Sequence, residues 1–147
     1  MTIKAVENAM VARLQSKLGA QVGRVYTAAE VAQVEERSQV TPSVAVLYNG
    51  MTPTQELGGG AVQEVAFQFL AVVTVRNARG AGTQEGARDD AAELVDAVLE
   101  ALLGFRPLPG TCGPLKLEQA PGAGFTDAGF AYYPLAFEIR RSYRGTP

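Results

Sequence analysis

The sequence predicts an α+β fold: a mainly antiparallel or mixed four-stranded sheet with two to three helices packed mostly on one face. Three observations carry this expectation. Residues 2–19 and 84–103 place apolar side chains three and four apart, the period of a one-sided helix. Residues 61–77 and 130–143 alternate from side to side, the period of a strand. Stretches rich in Gly and Pro separate these runs, so turns join most neighbouring strands. With 147 residues, the chain is the length of one domain, and residues 1–147 are expected to form one.

In the first helix, Ile3, Val6, Met10, Leu14 and Leu18 line one face. Thr2 suits the N-cap, Lys17 sits in the last turn, and Gly19 can close the helix. A short extended piece follows at 24–27. Residues 28–39 hold helix formers, with Val31 and Val34 three apart, and fit one short helix or a mobile crossing segment. Pro42 opens an extended run at 43–50, with Val44, Val46 and Tyr48 on one face and Ser43, Ala45, Leu47 and Asn49 on the other. Asn49-Gly50 is a turn signal, so 51–60 reads as a loop with Gly58-Gly59-Gly60 as a flexible hairpin tip.

The strand at 61–77 turns Val65, Phe67, Phe69, Ala71, Val73 and Val75 one way. Its other face is polar at both ends and apolar in the middle, which fits a central strand covered on both faces at its centre. The helix at 84–103 carries Ala87, Ala91, Leu94, Val95, Val98 and Leu102 as one stripe, with Thr83 suited to the start and Gly104 to the C′ position. Leu94, Val98 and Leu102 should pack on the strands at 61–77 and 130–143, with Val98 buried at mid-stripe. Residues 105–114 are loop, 115–120 a strand and 121–129 a long turn. Pro134 lacks a ladder donor, so the last strand is an edge there or carries a bulge.

Composition narrows the function. Hydrophobic residues make up 47% and charged residues 19%, as in a folded soluble protein. Thirteen Lys and Arg against fifteen Asp and Glu leave a net charge of −2, which disfavours a dedicated duplex-DNA binder. Histidine is absent, which removes imidazole bases, His-dependent triads and His-ligated metals. Cys112 is the single cysteine, so there is no internal disulfide or Cys-rich zinc site. It lacks a partner that would make it a nucleophile and reads as an incidental loop thiol. No apolar run approaches the roughly 20 residues of a membrane span, and the first ten residues lack a signal-peptide core. The expectation is a soluble protein of cytoplasm-like conditions, with no cofactor and no metal.

Three patterns remain as candidate sites. Gly80-Ala81-Gly82-Thr83-Gln84-Glu85-Gly86 joins a strand to a helix, the context of a phosphate-binding loop. Its spacing departs from the dinucleotide fingerprint, and Glu85, Asp89 and Asp90 stand where phosphates would lie, so a long strand-to-helix loop is the simpler reading. Arg76, Arg79 and Arg88 flank it as a candidate contact for a phosphate or an acidic partner. Second, Phe130, Tyr132, Tyr133 and Tyr143 beside Arg140, Arg141 and Arg144 could stack bases, although aromatics also simply fill strands. Third, Glu85, Asp89, Glu93, Asp96 and Glu100 form a row along one helix face. Residues 84–103 hold six acids and one base, a balance of −5, whereas 136–147 hold three arginines and one acid, a balance of +2. The row is either a solvated face or a docking stripe for basic groups such as Arg140, Arg141 and Arg144 of another subunit.

Several segments together resemble a known family. They are the Leu-x-x-x-Leu-Gly helix end, Pro-Ser-Val-Ala-Val-Leu-Tyr-Asn-Gly at 42–50, and the strand from Phe67 to Asn77. Leu94 to Pro107 and Tyr133 to Tyr143 complete the set. The chain resembles the tail terminator family of long-tailed phages, in particular the Mu-like tail proteins. The resemblance implies a non-enzymatic virion protein of the tail or neck, assembled in the host bacterial cytoplasm. It implies a hexameric ring that caps the tail tube, stops its polymerisation and presents a surface to head-completion proteins. The implied partners are further copies of the chain, the tail tube protein and neck proteins, with no membrane and no specific nucleic acid, although DNA passes through such a ring. The alternatives are another neck or head–tail connector adaptor, or a small nucleotide-binding domain using the Gly80–Gly86 loop.

Overall fold

The computed structural model describes residues 1–76 and 84–147, and of residues 84–90 the backbone only. Helix α1 (Ile3–Leu18) starts as its sequence predicts: Thr2 Oγ1 accepts from the Ala5 N–H at 3.0 Å. Its apolar stripe buries Val6, Met10, Leu14 and Leu18. Strand β1 (Arg24–Tyr26) runs into α2 (Ala28–Gln33) and then a 3-10 turn at Glu36–Ser38. Of the two readings of 28–39, the short helix holds for 28–33. A reciprocal cap starts it: the Glu30 N–H donates to Thr27 Oγ1, and the Thr27 N–H donates to Glu30 Oε1, each at 3.2 Å.

Strand β2 (Ser43–Leu57) and strand β3 (Val62–Arg76) form one long hairpin. This corrects the expected loop at 51–60. Asn49-Gly50 does not turn the chain; Gly50, at φ +120°, lies at a register shift inside the strand, and a second shift falls between Pro53 and Glu56. The turn lies at Gly58-Gly59-Gly60, as expected for the tip, and all three have positive φ. There the Ala61 N–H donates to Gly58 O at 3.2 Å. Helix α3 (Gln84–Leu102) ends at Gly104, at φ +74°, whose N–H donates to Leu115 O at 3.0 Å. The proposed cap at Thr83 and the side chain of Ala87 lie outside the described residues.

Strand β4 (Lys116–Glu118), β5 (Gly124–Phe125) and β6 (Phe130–Arg144) complete the sheet. Strand order is β1-β2-β3-β6-β4, with β5 also on β6. All described pairings are antiparallel except β1 with β2. Six strands replace the expected four, β1 and β5 being short additions of three and two residues. Pro134 sits at an edge position, as its missing donor requires: β5 pairs with residues 131 and 132 of β6, and β4 with 136 to 138.

Helices α1 and α3 cover one face of the sheet. Their stripes merge with Val25, Val44, Val46, Phe69, Val73, Phe137 and Ile139 into a single apolar cluster. Val98 is fully buried there, with Leu94 and Leu102 beside it. Arg13 Nε donates to Ala101 O at 3.0 Å and ties the two helices together. The segment after α2 contacts residues of the other face. Gln39 Nε2 donates to the Tyr132 hydroxyl, and the Val40 N–H donates to the Tyr26 hydroxyl, both at 2.9 Å.

Candidate assembly surfaces

Beyond the ends of α1 and α3, strands β2, β3 and β6 continue as an arm. It comprises β2 from Met51, β3 up to Val65 and β6 from Arg141, and β2 is exposed throughout 51–57. Alternation gives the arm two different faces. The face away from the helices presents Thr54, Glu64 and Ser142, with Arg140 at its base, and the helix-side face presents Met51, Pro53, Gln63, Val65, Arg141 and Tyr143.

The polar face continues onto the body of the sheet as a bonded network. Asn49 Nδ2 donates to Gln68 Oε1 at 2.5 Å, and Gln68 Nε2 donates to Glu118 Oε2 at 2.8 Å. Arg140 bridges Glu138, with Nε–Oε1 at 2.5 Å, and Glu64, with Nη1–Oε1 at 3.1 Å. Thr54 Oγ1 donates to the same Glu64 oxygen at 2.8 Å. The hydrogen bond between Glu118 and Glu138 pushes the Glu118 carboxyl above the usual range and holds Glu138 below it, with Arg140 adding to the second effect. Of the two carboxyls, Glu118 is therefore the one that binds a proton more readily. Glu64 is held low by the Thr54 hydroxyl first and Arg140 second. The sequence places Gln68, Glu138 and Arg140 on the matching faces of their strands, but the register that joins them is a tertiary fact.

The acidic row divides at the limit of description. The side chains of Glu85, Arg88, Asp89 and Asp90 lie outside the described residues, as do Arg79 and residues 80–83 of the Gly80–Gly86 loop. Glu93, Asp96 and Glu100 are exposed along α3, and no ion pair among the described residues involves them. Glu100 shares a shallow groove with Arg13 and Lys17 of α1. The three C-terminal arginines do not form one patch. Arg140 is engaged by Glu64 and Glu138, while Arg141 points to the other face with its guanidinium 4.6 Å from the centre of the Tyr143 ring. Arg144 is exposed at the end of β6. Arg76 is exposed, with its guanidinium 5.2 Å from the centre of the buried Phe130 ring.

The aromatic cluster is divided in the same way: Phe130 is 1% exposed, Tyr132 and Tyr133 are half-buried, and Tyr143 stands 38% exposed. Cys112 lies in the expected loop but turns inward into the apolar cluster, with Sγ 3.8 Å from Leu108 O. The described residues contain no group of three or more potential metal-ligating side chains.

Over residues 3–146 the chain matches the family model described as phage tail terminator protein. It is therefore a structural component of a phage tail. The chain belongs to the phage tail terminator family. No curated protein matches it. One solved structure is 17% identical, with 99% of each chain covered and a TM-score of 0.42. No helix among the described residues is long and apolar enough to cross a membrane.

Proposed function

We propose that this protein folds as one domain, assembles as a ring, hexameric by resemblance, on the end of the tail tube, stops tube polymerisation and offers a surface for head or neck joining. The match of residues 3–146 to the tail terminator family carries this reading. The absence of histidine supports a role in assembly rather than acid–base catalysis. DNA passes through the ring without sequence-specific contact, and the work is done in the virion tail after assembly in the host bacterial cytoplasm. Arg76, Arg79 and Arg88 form a contact for an acidic group of a tail partner.

In the ring, the row Glu85, Asp89, Glu93, Asp96 and Glu100 of one subunit faces basic residues of its neighbour. Arg141 and Arg144 are the leading partners, because Arg140 already bridges Glu64 and Glu138 within its own subunit. Exposed pairs of this kind contribute about 0–1 kcal/mol each, so they set register while apolar contacts supply most of the affinity. Charge reversal tests the contact. Glu93→Lys with Asp96→Lys should weaken ring formation on purified tail tubes and leave the thermal midpoint of the subunit nearly unchanged. Undiminished assembly at low salt would reduce the row to a solvated face. Tails that keep their normal length in a phage lacking this protein would sink the terminator reading itself.

A further inference from the structure

The arm leaves one of its faces unsatisfied. On its polar face, Thr54, Glu64 and Arg140 bond to one another and need no partner. On its helix-side face, Met51 is 58% exposed, Tyr143 is 38% exposed, Pro53 is exposed, and Val65 is half-buried. Beneath them, Phe67 is 4% exposed, with its ring centre 6.3 Å from that of Tyr143. An antiparallel sheet with one wet face usually turns its polar side to water. Here the apolar face of the body simply runs on past the helices that cover it. Exposed apolar side chains gathered on one face, here with Arg141 and Gln63 among them, mark a candidate contact surface.

The chain itself carries a complementary surface. On the outer flank of α3, Leu99 is half-buried against the core cluster and Leu103, four residues on, is 48% exposed. Asp96 and Glu100, both exposed, run beside them, Glu100 also bordering the groove that holds Arg13 and Lys17 of α1. The arm offers apolar side chains bordered by Arg141 and Arg144, and the flank offers apolar side chains bordered by two acids. Met51, Tyr143 and Leu103 are all exposed in the same subunit, so these side chains do not cover one another within it.

We propose that the helix-side face of the arm docks on the outer flank of α3 in a second copy of this chain. Met51, Val65 and Tyr143 lie against Leu99 and Leu103, and Arg141 and Arg144 face Asp96 and Glu100. The contact joins two different surfaces, so it is heterologous and propagates from subunit to subunit until it closes. This rests on the ring reading above and names the surfaces that make the ring.

Two substitutions at exposed positions separate the surfaces without touching the core. Met51→Asp removes the arm's face, and Leu103→Asp removes the flank. Sedimentation velocity and native mass spectrometry on the full chain, over a concentration series, should show each variant associating at least about tenfold more weakly than wild type. Mixed in equal amounts, the two variants retain one intact arm–flank contact per pair, so the mixture should stop at two subunits. Wild-type-like assembly by Met51→Asp overturns the proposal. So does a mixture that stays monomeric where wild type assembles, or a wild-type chain that never associates. If Met51→Asp assembles normally but no longer binds tail tubes, the arm meets another tail protein and the proposal fails while the terminator reading stands. If wild type assembles through these surfaces but does not restore tail length, the reading fails and the contact stands.

Discussion

The same three strands, β2, β3 and β6, do different work in the body and in the arm. In the body, residues 67–75 of β3 contribute Phe67, Phe69, Ala71, Val73 and Val75 to the core, and Phe69, Ala71 and Val73 are fully buried. In the arm, residues 51–57 of β2 are exposed and the polar side chains bond across strands at the surface. The β3–β6 ladder is unbroken through both, and β2–β3 pairing resumes after each of its two register shifts, so strand pairing alone does not distinguish them. What differs is the cover supplied by α1 and α3. Apolar burial fixes the stability of the body, and its absence leaves the arm free to seek a partner.

The largest test of that contrast lies in the body. Val98 is fully buried in the stripe that α3 lays on the sheet. Val98→Asp would place an unpaired carboxylate there, at a cost of about 4 kcal/mol or more, a large part of the stability of a domain this size. The expected outcome is loss of cooperative thermal unfolding by circular dichroism. A folded, soluble variant would mean that α3 does not seal the body as described.

The next test lies at the border between the two regions. Gly50 sits at φ +120°, at the register shift where β2 leaves the body, and a Cβ there would meet no atom within 4 Å. The cost of Gly50→Ala is therefore backbone strain and not a clash, about 1–3 kcal/mol. Chemical denaturation should show a lowered midpoint with an unchanged slope, as expected when stability falls but the exposed surface on unfolding does not. An unchanged midpoint would show that the bulge relaxes freely and that the arm is not held in register by it.

The body was far more legible in the sequence than the arm. The stripes of α1 and α3 and the alternation of β3 and β6 are strong periodic signals, and each is dictated by a face that must be buried. Gly104 and Thr2 announce helix ends through local chemistry alone. The arm has no such driving force, so Met51 to Leu57 lack clean alternation, and two register shifts blur the period further. Asn49-Gly50 carries the chemistry of a tight turn, yet the positive φ it permits is used for a bulge. The parallel pairing of β1 with β2 depends on a crossover through α2, which no local pattern encodes. Among the site residues, the exposure of Glu93, Asp96 and Glu100 follows from the helical wheel. The pairing of Arg140 with Glu64, 76 residues away in sequence, depends on strand order and was not readable.

The smallest expected effect concerns the polar network that links arm and body. The hydrogen bond between Glu118 on the short edge strand β4 and Glu138 on β6 raises the first carboxyl and lowers the second, and Arg140 carries the link on to Glu64 in the arm. Gln68 donates to Glu118 from β3, and Lys116 lies opposite Glu138 on β4. The two carboxyls pull stability in opposite directions with pH. The raised value of Glu118 contributes stability that is full below the usual carboxylate range and is lost as pH rises through the raised value. The lowered value of Glu138 contributes stability that is present above the usual range and is lost as pH falls through the lowered value. Between the two lies the window in which a protonated Glu118 can donate to an ionised Glu138. Glu118→Gln keeps an oxygen to accept from Gln68 and supplies a permanent N–H donor to Glu138. The variant should therefore match wild type inside the window, lose the decline on the alkaline side, and unfold at a slightly higher temperature at neutral pH. Thermal midpoints of both proteins across about pH 4 to 8 check this. A variant less stable than wild type at neutral pH would mean that ionised Glu118 is held by a favourable contact, with Arg140 the candidate, and that the edge of the body is secured by charge attraction instead of a carboxyl–carboxylate hydrogen bond.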